Sequence, residues 1–151
     1  MLRNTTRLTS LFLAALCLAA LAAGQEPSAA PEDRALQGMK LLPGFKHVRE
    51  QGIDSSVGKI VKGDRTVVRY DIGPMAGIQL TSADKKVCRP YEEMDIEGQK
   101  MRLCIQGHSF RVTFVEAQAN FSGEAQDEGE LFAVIEMLKT FRGPHRVQPR
   151  K

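Results

Sequence analysis

Residues Lys100–Glu124 read KMRLCIQGHSFRVTFVEAQANFSGE, and this stretch decides the fold. Met101, Leu103 and Ile105 alternate with Lys100, Arg102 and Cys104. After the polar break Gln106-Gly107-His108-Ser109, Phe110, Val112 and Phe114 alternate with Arg111, Thr113 and Val115. In a third run Ala117, Ala119, Phe121 and Gly123 take one parity, and Gln118, Asn120, Ser122 and Glu124 the other. Period two with one apolar face marks half-buried strands. Three such runs with short breaks predict an antiparallel meander.

Toward the C-terminus the period changes to that of a helix. Asp127 is placed to cap, with Glu130 three residues on in a capping-box-like pair. Leu131, Val134, Ile135, Leu138 and Phe141 form the apolar stripe, so Leu131–Phe141 is expected to pack on the sheet. Glu130, Glu136, Lys139 and Thr140 are expected to face away. Arg142 suits the negative helix end, and Gly143-Pro144 stops the helix. A basic tail, residues 144–151, follows.

Toward the N-terminus, Tyr91–Ile96 and Gln99–Ile105 flank Glu97-Gly98 as a hairpin. Pairing across that turn sets Cys104 opposite Tyr91. Val57–Lys62 and Thr66–Ile72 flank a second turn at Lys62-Gly63-Asp64-Arg65. Gly73-Pro74 ends the latter strand. Within Met75–Lys86 only Ile78 and Leu80 suggest a short strand. Phe45–Ser56 is read as irregular, with Phe45, Val48 and Ile53 as core anchors. Residues 25–42 are expected to be a flexible spacer, with at most a helical turn in Arg34–Leu42. The prediction is an α+β domain over residues 43–143: an antiparallel sheet of five or six strands with one C-terminal helix packed on one face.

Residues 1–24 have the composition of a secretory signal peptide. Arg3 and Arg7 precede an apolar run, and Ala22-Ala23-Gly24 closes it. The run is short of the ~20 residues a spanning helix needs, so no transmembrane segment is expected after cleavage. Loss of Arg3 and Arg7 from the 21 Lys and Arg leaves near balance against 18 Asp and Glu. Four of the remaining 19, Arg142, Arg146, Arg150 and Lys151, lie at the C-terminal end, so residues 25–141 hold 15 basic against 18 acidic residues and are slightly acidic. That argues against nucleic acid as a partner. Cys88 and Cys104 remain once Cys17 is removed, and an even pair in an exported chain predicts a disulfide. With no C-x-x-C, a redox role is not expected.

Chemistry-bearing motifs are sparse. His47, His108 and His145 have no second His or Cys at metal-ligand spacing, so no metal or cofactor is expected. Gly58–Arg65 has the glycine spacing of a phosphate loop but lacks its Lys and Ser/Thr, and reads as a hairpin. No G-x-S-x-G surrounds Ser55 or Ser56. Glu92, Glu93, Asp95 and Glu97 read as the solvent face of a hairpin. Asn120-Phe121-Ser122 matches a glycosylation acceptor but falls in a strand. The weak candidates for a binding surface are His47, Asp54, Arg69, Asp71 and His108, with Arg102 and Arg111 beside them if one sheet face stays free.

Gly52-Ile53-Asp54-Ser55, Tyr70-Asp71-Ile72-Gly73 and Ala119-Asn120-Phe121 resemble segments of small exported bacterial proteins. The similarity spans roughly Pro43–Phe141. It implies export from a bacterium, to the periplasm or beyond, and supplies no activity, ligand or catalytic residue. The expected function is a non-enzymatic envelope or extracellular binding module for a protein or small molecule. The alternatives are a small hydrolase-like or metal-dependent enzyme pairing His47 or His108 with Asp54 or Asp71, and a protease inhibitor presenting Gly73–Gly77.

Overall fold

A computed structural model describes residues 34–143, so the expected signal peptide, the start of the expected spacer and the basic tail lie outside the described residues. Seven strands form one antiparallel sheet: β1 (Phe45–Arg49), β2 (Ser56–Lys62), β3 (Arg65–Ile72), β4 (Tyr91–Ile96), β5 (Gln99–Gln106), β6 (Ser109–Phe114) and β7 (Ala119–Glu124). A helix, α1 (Glu128–Leu138), follows. The strand order is β1-β2-β3-β7-β6-β5-β4. The α+β class stands, with seven strands rather than five or six.

The extra strand is β1. Its apolar pattern is inverted, which hides it. His47 stands opposite Ile60 on the helix side of the sheet, while Val48 stands opposite Lys59 on the other side and is half exposed. Of the three anchors expected here only Phe45 packs on the core. Ile53 is fully exposed in the β1–β2 loop. The stretch read as spacer is fixed from Leu36 onward, for Leu36 is buried and Met39 and Leu42 pack against the core.

Both hairpins form at the expected turns. Glu97 and Gly98 both have positive φ, 53° and 81°, as a two-residue turn matched to strand twist requires. Tyr91 faces Cys104 across β4–β5. The meander pairs β5 with β6 and β6 with β7 in continuous register.

The core lies between α1 and one sheet face. Phe114, Phe121 and Phe141 meet edge to face, with centroids 5.0 to 5.9 Å apart. Each such buried side chain is worth ~1.5–3 kcal/mol of transfer energy. Asp127 accepts a hydrogen bond from the Glu130 N–H at 2.8 Å, the expected cap. The helix itself ends at Leu138, and Phe141 enters the core from a turn in which its N–H bonds the Leu138 carbonyl. Glu130 does not face away as its spacing suggested. It is buried, and accepts from Arg65 at 2.5 Å, Lys62 at 3.1 Å and the Gln126 N–H at 2.8 Å. The β2–β3 turn supplies both cations, so Glu130 locks the start of α1 to that hairpin.

Candidate functional site

The two faces of the sheet have different covers. Opposite α1, one row of side chains runs Asp71, Asn120, Thr113, Arg102 and Glu93 across β3, β7, β6, β5 and β4. The segment between β3 and β4, residues 73–90, lies on the β7–β5 part of this row. Leu80 is buried there, its N–H donating to Thr113 Oγ1 at 3.1 Å and its carbonyl accepting from Arg102 at 3.0 Å. Asn120 Oδ1 accepts from the Gln79 N–H and from Thr113 Oγ1 at 3.1 and 2.7 Å. Asn120 Nδ2 donates to the carbonyls of Ala76 and Gly77. Short 3₁₀ turns at Pro74–Ala76 and Ser82–Lys86 replace the strand expected around Ile78 and Leu80. Cys88 and Cys104 are joined by a disulfide beneath Leu80 and Tyr91, tying this segment to β5.

These groups set the local electrostatics. Burial pushes the Tyr91 hydroxyl up to about 12, helped by its 2.9 Å contact with Glu93. Glu93 is held below its ordinary value, first by that Tyr91 hydroxyl and then by Lys85 and Arg102. Asp84 is lowered by the N–H and hydroxyl of Thr81. The network is structural: it uses Arg102, Thr113 and Asn120 to hold a loop. The face that Arg102 and Arg111 share is therefore covered in part by residues 73–90, and Asn120, 2% exposed, is closed to glycosylation.

The sequence candidates do not converge. His47 is part-buried at the edge of the helix-side face, its ring nitrogen 2.7 Å from the Tyr70 hydroxyl. That hydroxyl lies over Gly58, where a Cβ would come within 2.5 Å of it. Asp71 points to the opposite face, with Oδ1 buried and meeting no hydrogen-bond donor among the described residues. Arg69 is exposed and 3.8 Å from Glu50. Asp54 is exposed in the β1–β2 loop. His108 sits in the β5–β6 turn, four strand intervals or ~20 Å from His47. Pro74 and Met75 turn outward from the Gly73–Gly77 segment, whose carbonyls at Ala76 and Gly77 are bonded to Asn120. Among the described residues no three His, Cys, Asp or Glu side chains group as a metal site, and no helix is long and apolar enough to cross a membrane.

His108 does line a cleft shaped for a ligand. Between α1 and the β4–β5 hairpin lies an open cleft of about 530 Å³. Its floor is Leu103 and Ile105 from β5 with Leu131 and Ile135 from α1. Phe132 stands beside it, 69% exposed. Glu92, Glu128 and Glu136 rim the cleft, against Lys139 alone among the fixed cations. Lys139 is taken by Glu136 at 2.6 Å. Glu92 and Glu128 meet no counter-charge among the described residues. Glu130 ties the start of α1 to the β2–β3 hairpin, while Leu131 and Ile135 of the same helix line the cleft with Leu103 and Ile105 of β5. Sequence reading missed it. Its one signal was Phe132, a large apolar residue off the helix stripe. No family model matches the chain, and neither a curated protein nor a solved structure matches it.

Proposed function

We propose that this is an exported, non-enzymatic binding module whose ligand seats in the cleft between α1 and the β4–β5 hairpin. The observation that carries the reading is an apolar floor beside an exposed aromatic ring, rimmed by two carboxylates with no counter-charge among the described residues. Exposed apolar surface next to polar groups in a concavity is the usual form of a ligand site. The floor supplies affinity through burial, and Glu92 and Glu128 select ligands that carry positive charge. Export is supported by the signal-like N-terminus and by a disulfide, which persists in oxidising compartments.

Titration with the apolar dye N-phenyl-1-naphthylamine tests the site. Its fluorescence should rise on binding to the intact protein. Phe132→Ala should weaken that binding about tenfold, a change in Kd that a direct titration resolves, with circular dichroism and melting unchanged because Phe132 is exposed. Equal affinity in the two proteins would remove the cleft from consideration.

A further inference from the structure

We propose that the ligand is an extended segment of a partner polypeptide, added as an eighth strand to the free edge of β4, with Lys or Arg and apolar residues taking turns along one of its two faces. This rests on the cleft reading above and names its ligand class. β4 is the last strand in the sheet order, and no described element lies beyond it. The Pro90 carbonyl accepts from the Ile105 N–H at 3.1 Å. Period two then directs the main-chain groups of Glu92, Met94 and Ile96 toward β5, and those of Glu93 and Asp95 outward. Unpaired main-chain donors and acceptors on an open edge are a template for strand addition.

The side chains say which strand fits. A residue opposite Glu92 would lie ~5 Å from it on the cleft side of the sheet. A Lys or Arg there meets a carboxylate that has no counter-charge among the described residues. The residue two positions along projects from the same face and reaches toward Phe132 and the apolar floor. On the far face Asp95 adds further negative charge. A second copy of β4 would not serve, because an antiparallel pair would set acidic side chains against one another. The same repulsion keeps an open edge from pairing with itself. The opposite edge of the sheet, β1, carries Lys46 and Arg49 and would repel such a ligand.

The probe is a fluorescein-labelled hexapeptide, Lys-Thr-Val-Thr-Lys-Thr, which sets Lys, Val and Lys on one face, read by anisotropy with the full protein at low salt. It should bind, and Glu-Thr-Val-Thr-Glu-Thr should not. N-methylation of every amide keeps the side chains and removes the donors, and should weaken binding at least about tenfold. Glu92→Lys, an exposed change, should do the same. Undiminished binding of the N-methylated peptide, or an indifferent Glu92→Lys, overturns strand addition. Concentration-dependent self-association in sedimentation, competing with the peptide, also overturns it by assigning the edge to another copy. If the peptide fails while the dye still binds in a Phe132-dependent way, this inference falls and the cleft reading stands. If both fail, both fall.

Discussion

Glu130 shows what a residue can hide. Burial pushes its carboxyl up, but the Gln126 N–H, Arg65 and Lys62 more than offset this, so it lies below its ordinary value. A folded-state value below the unfolded one, ~4.3, means stabilisation that is complete at neutral pH. It is lost as pH falls through the lower, folded-state value. Glu130→Gln should therefore melt several degrees below the parent near pH 7, and the gap should close as the pH falls well below about 4. Melting curves taken across that range check this, and a gap that persists in strong acid would show that the charge is not what stabilises. The residue's place in the capping pattern was legible, since Asp127 does cap. Its direction was not, because Lys62 and Arg65 lie more than sixty positions away in sequence. The same limit applies to Asn120 and Thr113: strand parity shows that they share the polar face, but not that a loop lies on it.

At the scale of the element, α1 was readable in phase. Leu131, Val134, Ile135 and Leu138 are buried and Glu136 is exposed, as 3.6-residue spacing requires. Leu138→Ala should cost ~2–5 kcal/mol, the range for truncating a fully buried side chain. Glu136→Ala should change stability by no more than ~0.5 kcal/mol, because its pair with Lys139 is solvent-exposed. Urea unfolding of the two variants compares them directly, and equal small effects would mean that the helix is not docked. The elements that escaped notice did so for local reasons. β1 is five residues long and turns a part-buried His, rather than its Val, to the helix side, so its alternation runs against the apolar pattern. Residues 73–90 draw their hydrogen bonds from side chains of the sheet, not from a neighbouring strand, and so leave no periodic trace.

For the whole molecule, the disulfide fixes the second cover of the sheet. A Cys88→Ser/Cys104→Ser protein should lose ~3 kcal/mol in the chain-entropy picture, since the bridge closes a loop of sixteen residues' separation. Amide exchange should speed up most at Gln79 and Leu80, and least along β3 and β7; uniform acceleration would mean that the segment and the sheet open as one unit. The strand order has a plainer consequence. Every pairing joins strands adjacent in sequence except β3 with β7. The sheet is thus two ribbons, one of three strands and one of four, meeting along five residue pairs from Val68–Gly123 to Ile72–Ala119. A break in the backbone anywhere between Gly73 and Pro90 would sever no strand pair. Along that seam the protein is, in effect, a two-piece object, and the covalent thread between the pieces is the part of it that the sheet's pairing could do without.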